Sequence, residues 1–467
     1  MLPFQVWHNL KKTAVIADDG TQFTYRDLND FTESVREIIP HRCLLFLLCQ
    51  NSPGSLLGYV SFISGEIVPL MLDSKIDNKL LSGLIKIYKP QYLWVPDHRV
   101  VEFLPGKPVF SKFKYTLVKL DSCNHYPLHK DLALLLTTSG STGSSKFVRI
   151  SYENLTVNAA SIAEYLLINE NERPGTTLPM SYAYGLSVIN SHLLKGATIL
   201  LTSATLMERE FWTFIKNRKA TSLAGVPYSY KMLKKLQFSQ MELPSITTLT
   251  QAGGKLSPEL SIEISRYCLQ SGKRFFMMYG QTEATARMSY LPPEYSLTKP
   301  ESIGIAIPGG EFRLVDDQGS DIEADDHPGE LVYKGKNVCM GYANHGDDLV
   351  KRDENRGVLF TGDVAKRDCD GFYYLIGRKS RFIKIYGNRL NLDEAERLLE
   401  NIIPECACTG TDDHLVVHIT DKTRINEIQK YFSARTGLNP AAISCRHCAE
   451  IPRNPAGKTI YAELDNS

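Results

Sequence analysis

Residues 137–146 read Thr137-Thr138-Ser139-Gly140-Ser141-Thr142-Gly143-Ser144-Ser145-Lys146, a hydroxyl- and glycine-rich run ending in a lysine. Backbone amides, hydroxyls and one ammonium group at that density suit the phosphate oxygens of a nucleotide. The residues that follow decide the fold around them. A P-loop of the NTPase kind needs a glycine directly before the lysine and a helix starting there, so that aligned amides and the helix dipole face the phosphates. Here Ser145 precedes Lys146, and Phe147-Val148-Arg149-Ile150 is bulky or β-branched, which predicts a strand. Leu132 to Thr137 predicts another strand on the near side, so the loop is expected to join two strands as a clamp. A helix start is expected only at Ser151, with Glu153, Leu155, Val157 and Ile162 behind it. By composition alone the same loop also reads as a Gly/Ser surface connection, and other segments must separate the two readings.

Apolar strand-like runs alternate with amphipathic stretches through the first 300 residues, among them Leu44 to Leu48, Ile67 to Met71, Tyr92 to Val95 and Ala197 to Leu201. That alternation predicts layered α/β sheets with parallel strands. From Gly304 short strands and tight turns take over, a β-rich module spanning about 304–376. The polar run Gly377-Arg378-Lys379-Ser380-Arg381 is read as a boundary. It divides a large N-terminal α/β lobe, residues 1–377, from a small mobile α+β C-terminal domain, residues 378–467. In the small domain Asn391 is placed to cap a helix, with Glu394 completing a capping box and Leu392, Ala395, Leu398, Leu399 and Ile402 as its apolar stripe. A second helix is expected over about Thr423 to Thr436.

Lys+Arg 53 against Asp+Glu 52 leaves a formal charge of +1, which offers no footprint for nucleic acid or an anionic membrane surface. The most apolar stretch, Cys43 to Leu72, is broken by Gln50-Asn51-Ser52-Pro53-Gly54 and reads as strand, turn, helix and strand, with no membrane span. Met1-Leu2-Pro3-Phe4-Gln5 lacks an export signal's basic and apolar regions, so a cytoplasmic address is expected. Ten scattered cysteines suit a reducing compartment. Near the C-terminus Cys445-x-x-Cys448 has half the spacing of a zinc site, but Cys406 and Cys408 sit one residue apart on a predicted strand, and no metal is expected there.

Besides the 137–146 loop, the chain carries Met278-Tyr279-Gly280-Gln281-Thr282-Glu283 and Tyr386-Gly387-Asn388-Arg389, the latter preceded by Thr361-Gly362-Asp363 and Gly377-Arg378. It ends with Pro452-Arg453-Asn454-Pro455-Ala456-Gly457-Lys458. Together, and in this order, they resemble the acyl-adenylating (AMP-forming) superfamily of acyl-CoA synthetases, nonribosomal peptide adenylation domains and firefly luciferase. The resemblance runs from about residue 20 to 462.

It implies an acid–thiol ligase. A carboxylic acid and ATP, with Mg²⁺, give acyl-AMP and pyrophosphate, and the acyl group then passes to the thiol of CoA or a carrier-protein phosphopantetheine. Attack of a carboxylate on an α-phosphate brings two anions together, so cations placed where charge accumulates lower the barrier. The resemblance assigns Lys458 to the substrate carboxylate and α-phosphate, Glu283 to Mg²⁺, Thr282 to the α-phosphate and Tyr279 to adenine, beside Gly280 and Gln281. Thr138, Ser139, Gly140, Ser141, Thr142, Gly143 and Lys146 would cradle the phosphates. Asp363 would take the ribose hydroxyls with Arg378 donating nearby, and Gly253 and Gly254 would let the backbone approach the base. Lys384 matches a lysine that enters the site for the second half-reaction after the small domain rotates about Ser380.

Departures from the family's pattern are Ser145 in place of a frequent proline, Ser380 in place of an acidic residue or lysine, and a short C-terminal domain. That domain, and the lack of a basic patch for CoA's nucleotide end, tilts the acceptor toward a carrier protein. The segment Leu178 to Leu186 aligns with the family's substrate wall and has no aspartate to pair with an α-ammonium group. Tyr182 and Tyr184, with Val226 and Tyr228 as a second wall, therefore suggest an uncharged acyl or hydroxyacyl group. The alternatives are amino-acid adenylation for a carrier protein and a catalytically silent nucleotide- or acyl-binding regulator. The presence of both Lys458 and Glu283 argues against the second.

Overall fold

The computed structural model describes residues 9–103, 106–121, 127–137, 146–386, 388–400, 402–403, 405–436, 438–453 and 459–465. The chain separates into two compact units, Met1–Glu311 with Tyr333–Leu359 and Phe312–Val332 with Phe360–Ser467. The β-rich stretch from 304 to 376 is thus divided between them.

Two large sheets build the first unit. In one, the strands Leu44–Cys49, Val68–Asp73 and Tyr92–Pro96 run parallel side by side. Leu44–Cys49 is buried at every position, as a parallel strand covered on both faces must be. Leu132–Thr137 continues the sheet parallel to Val68–Asp73, and Phe147–Ser151 returns antiparallel to it with Thr137 opposite Phe147. The two strands expected on either side of the 138–145 run are therefore present and paired. No helix begins at Lys146. The helix Tyr152–Tyr165 starts after Ser151, whose hydroxyl accepts from the Asn154 amide at 3.0 Å while Asn154 Oδ1 accepts from the Ser151 amide at 2.8 Å. Thr138, Ser139, Gly140, Ser141, Thr142 and Gly143 lie outside the described residues.

In the second sheet Pro174–Gly175, Ser222–Gly225, Thr248–Gln251 and Arg274–Tyr279 are parallel neighbours, followed by antiparallel Ser289–Leu291 and Ile305–Ala306. Side chains on one face of these strands pack with Tyr152–Tyr165 and the helix Ala183–Leu194, forming a core of Ala224, Val226, Ala252, Phe276 and Met278 against Ile162, Tyr165, Tyr184 and Val188. Each large apolar side chain buried there contributes about 1.5–3 kcal/mol relative to exposure. This layer positions the candidate site.

The second unit includes Val358–Arg367 from Phe360 onward, antiparallel to Tyr373–Arg378. Beyond them come the hairpin Phe382–Ile385/Asn388–Asn391, the helix Leu392–Glu400, and a sheet of Cys406–Thr411, His414–Ile419 and Ile443–His447 with the helix Ile425–Thr436. Asn391 Oδ1 caps its helix by accepting from the Asp393 amide at 2.8 Å and the Glu394 amide at 3.4 Å. Leu392, Ala395 and Leu399 join Ile428, Phe432, Leu415 and Val417 in one core. Among the described residues no helix is long and apolar enough to cross a membrane, and no group of three or more His, Cys, Asp or Glu side chains is placed to hold a metal.

Candidate active site

Three parallel strands end together in the first unit. Their register aligns Gly225 with Gln251 and Gln251 with Met277, so Val226, Gly253–Gly254 and Tyr279 emerge side by side at the carboxyl ends. Open α/β sheets bind ligands in this crevice. Gly253 has φ +85°, and a Cβ there would stand 2.7 Å from the Tyr182 hydroxyl and 3.1 Å from Val226 Cγ1. Only glycine fits both the backbone and the space. The rings of Tyr182 and Tyr184 meet edge to face with centroids 6.4 Å apart, and the Tyr184 hydroxyl shares a hydrogen bond of 2.9 Å with Thr250 Oγ1. Tyr182, Tyr184, Val226, Gly253 and Gly254 thus lie together in the structure. Tyr228, on the helix that Pro227 begins, is 56% exposed and makes no hydrogen bond or ring contact with this cluster among the described residues. Burial pushes the Tyr182 hydroxyl up to about 12 and that of Tyr184 above its usual range, so both stay neutral near pH 7.

The Tyr279–Glu283 element lies on a reversal between Arg274–Tyr279 and Ser289–Leu291. A Cβ on Gly280 would stand 1.8 Å from the Ala286 carbonyl oxygen, which demands glycine. Thr285 and Ala286 hold φ of 55° and 97°, left-handed values that cost of order 1–3 kcal/mol each. Several bonds hold the turn in this shape. Asn337 Nδ2 donates to the Ala284 and Arg287 carbonyls at 2.8 and 3.1 Å, Asn158 Nδ2 to the Arg287 carbonyl at 2.9 Å, and the Cys339 amide to the Glu283 carbonyl at 2.8 Å.

Thr282 is buried in this turn, and Gln281 Nε2 donates to the Tyr279 hydroxyl at 3.2 Å. Glu283 Oε1 accepts from the Tyr342 hydroxyl at 2.8 Å, and Lys146 Nζ lies 3.5 Å from the centre of the same Tyr342 ring. Tyr342 therefore brings together a lysine and a carboxylate that the sequence presents in separate motifs. A carboxylate fixed beside a lysine fits Mg²⁺, which in nucleotide sites takes one or two carboxylates plus phosphate oxygens.

Asp363, Arg378, Ser380 and Lys384 belong to the second unit. Asp363 is buried and pairs with Arg378 across the Val358–Arg367 and Tyr373–Arg378 strands, with 3.1 Å between Oδ1 and Nε. Its amide donates to Thr361 Oγ1 at 3.1 Å, and that hydroxyl donates to the Leu331 carbonyl at 2.6 Å. Ser380 is exposed in a single turn between Lys379, paired with Glu330 at 2.8 Å, and Arg381, paired with Asp393 at 2.5 Å and Glu396 at 2.7 Å. Lys384 is exposed on Phe382–Ile385, where its amide donates to Asp412 Oδ1 at 2.8 Å and its carbonyl accepts from the Asp413 amide at 2.7 Å. Lys458 lies outside the described residues.

Sequence reasoning missed Tyr342, Asn337 and Arg287. The first two act across more than 50 residues of chain and carry no local signal. Arg287 had one: a full charge inside the apolar run Ala286 to Leu291.

The profile of the AMP-binding enzyme family matches residues 89–343 of the chain. The chain belongs to that family. A 2-succinylbenzoate–CoA ligase of Geobacillus sp. (strain WCH70) is 30% identical to this AMP-binding enzyme over 347 residues, covering 72% of the chain and 68% of the relative. One from Bacillus pumilus (strain SAFR-032) is 28% identical over 467 residues, covering 96% and 93%. The solved o-succinylbenzoate CoA synthetase from Bacillus subtilis, in complex with its acyl-adenylate intermediate, superposes with a TM-score of 0.79 at 20% identity over 98% of this chain and 96% of that one, a likeness of fold. The layered α/β class expected from the sequence is borne out. This AMP-binding enzyme is an AMP-forming acid–thiol ligase that uses ATP and Mg²⁺ to activate a carboxylic acid before thioester formation.

Proposed function

We propose that the crevice at Val226, Gly253–Gly254 and Tyr279 seats the adenylate, with Lys146, Thr282 and Glu283 toward its phosphates and Tyr182 and Tyr184 toward the acyl group. The observation that carries this reading is the Lys146–Tyr342–Glu283 contact, which sets an ammonium group and a carboxylate against one ring. When bound, Mg²⁺ supplies positive charge against the phosphates, and Glu283 is the residue to hold it. Asp363 presents two acceptor oxygens for a ribose, steadied by Arg378. Lys458 is the cation for adenylation. Lys384 serves thioester formation after the 378–467 domain turns at Ser380.

CoA is the proposed thiol, supported by relatives named as CoA ligases and against the carrier protein favoured by the small domain's size. The absence of aspartate in Leu178 to Leu186 supports an acid without an α-ammonium group. A cytoplasmic location follows from the same reading. To test it, the enzyme is given ATP, Mg²⁺ and a mixture of acids, the acyl adenylate is identified by mass spectrometry, and turnover is then compared with CoA and with a phosphopantetheinylated carrier. An adenylate followed by acyl-CoA supports the reading. Transfer to the carrier alone overturns the choice of thiol.

A further inference from the structure

Arg287 is 2% exposed and has no carboxylate partner among the described residues. Its Nε donates to Ser187 Oγ at 3.2 Å, and its Nη1 lies 3.2 Å from both the Tyr165 hydroxyl and Met278 Sδ. The guanidinium carbon sits 4.9 Å from the centre of the Tyr184 ring. All of these partners are neutral, and Nη2 makes no hydrogen bond to a described residue. A guanidinium does not give up its proton, so burying one without a counter-anion is costly. Buried charges in proteins are as a rule paired, and no described carboxylate pairs this one.

The group lines a cavity between the Ala183–Leu194 helix and the parallel strands, together with His192, Val188, Ala224, Thr248 and Thr250. The cavity volume is about 20 Å³, more than the ~10–15 Å³ that one water needs and too little for a long alkyl chain. His192 Nδ1 faces the Val188 carbonyl at 2.8 Å; a carbonyl only accepts, so Nδ1 carries the proton and Nε2 is left as an acceptor without a described partner. Glu172 is the carboxylate on the lining, but it is tied to the Thr221 hydroxyl and forms no ion pair with Arg287. Tyr184, bonded to Thr250 and touching both the Tyr182 ring and Arg287, is the wall shared with the crevice at Gly253. Thr250 precedes Gly253 by three residues, a depth of about 10 Å along the strand.

We infer that Arg287 is a specificity-determining residue, binding a second, distal carboxylate of the acid in this cavity while the reacting carboxyl lies near Gly253. The inference rests on the ligase reading and narrows its substrate to acids carrying a far anionic group. It replaces the uncharged acyl tail expected from the tyrosine wall. A guanidinium with a free Nη2 offers that carboxylate a charge-assisted bond in a site shielded from water.

The test compares glutarate, adipate, pimelate and suberate with the monoacids of equal carbon number in acid-dependent pyrophosphate exchange, using wild type, Arg287→Met and Arg287→Lys, with melting temperatures for each. Binding of each acid in the presence of AMP is measured by calorimetry as a readout independent of turnover. The expected result is a wild-type preference for a diacid of about tenfold or more in kcat/KM. Arg287→Met should erase it mainly through KM, and Arg287→Lys should keep part of it. If Arg287→Met does not fold, the diacid-to-monoacid ratio of Arg287→Lys decides. Equal or better use of monoacids by wild type, or a ratio unmoved in a folded variant, overturns the inference and leaves the ligase reading intact. If no acid supports exchange, the ligase reading falls, and the calorimetric diacid preference still decides for or against Arg287.

Discussion

The hydroxyl of Tyr342 donates to Glu283 Oε1 at 2.8 Å while the face of its ring lies 3.5 Å from Lys146 Nζ. One aromatic side chain thus orients the proposed metal carboxylate through its edge and holds the proposed phosphate lysine over its face. The strand pairing that sets Tyr342 opposite Val148 explains the meeting, because Lys146 stands two residues before Val148. A cation over an aromatic face gains about 0.5–2 kcal/mol, enough to place Lys146 and little enough for phosphate to draw it away.

Tyr342→Phe keeps the ring and removes the donor. Hydrogen bonds to charged groups are worth about 1.5–3 kcal/mol, so pyrophosphate exchange should slow by about ten- to a hundredfold, with a higher Mg²⁺ requirement and a melting temperature near that of wild type. Exchange measured across Mg²⁺ concentrations checks this. An unchanged Mg²⁺ profile would mean that the phenol only packs.

Gly253→Ala introduces a methyl group 2.7 Å from the Tyr182 hydroxyl on a backbone at φ +85°. The strained conformation alone costs about 1–2 kcal/mol. The variant should melt lower and bind ATP more weakly, and adding Tyr182→Phe should restore part of both, since the clash is with the hydroxyl oxygen. Calorimetric unfolding and ATP titration of the single and double variants read the coupling.

Asp363→Ala removes both proposed ribose acceptors and should raise KM for ATP at least about tenfold. Arg378 is 56% exposed and its pairing is screened by water, so Arg378→Ala should change the same constant by less than about threefold. Steady-state kinetics in ATP at saturating acid distinguish them, and a larger effect at Arg378 would reverse the assigned roles.

His192 is buried, and burial, with the nearby Arg287 charge adding to it against the Val188 carbonyl bond, lowers its pKa to about 4. In the unfolded chain the ring titrates near 6.5. Its contribution is therefore complete above about pH 6.5 and is lost as pH falls toward 4, by roughly 3 kcal/mol at most. Urea midpoints at pH 7 and pH 4.5 should differ less in His192→Asn than in wild type. An equal pH dependence would exclude this ring as its source.

Local chemistry explains which features were legible in the sequence. The β-branched run after Lys146, the Ser151 cap and the Asn391 cap each depend on neighbours within four residues, and all three appear where expected. Gly280 was legible as part of a motif, but its cause, the Ala286 carbonyl crossing beneath it, was not. Val226 reaches Gly253 because the register sets Gly225 opposite Gln251 and brings the two strand ends together, whereas Tyr228, two residues on, is carried away by the helix that starts at Pro227. Contacts made through the fold, such as Asn337 to Ala284 and Arg287 to Tyr165, leave no trace in spacing.

The most direct measurement is acid-dependent exchange of labelled pyrophosphate into ATP by wild type, Lys458→Ala and Lys384→Ala, each paired with thioester formation from supplied acyl-AMP and CoA. Exchange should be strong in wild type, absent in Lys458→Ala and retained in Lys384→Ala, with the two variants reversed in the thioester assay. Release of ADP and phosphate in place of AMP and pyrophosphate, or undiminished exchange in Lys458→Ala, would contradict adenylation by a lysine carried on the small domain.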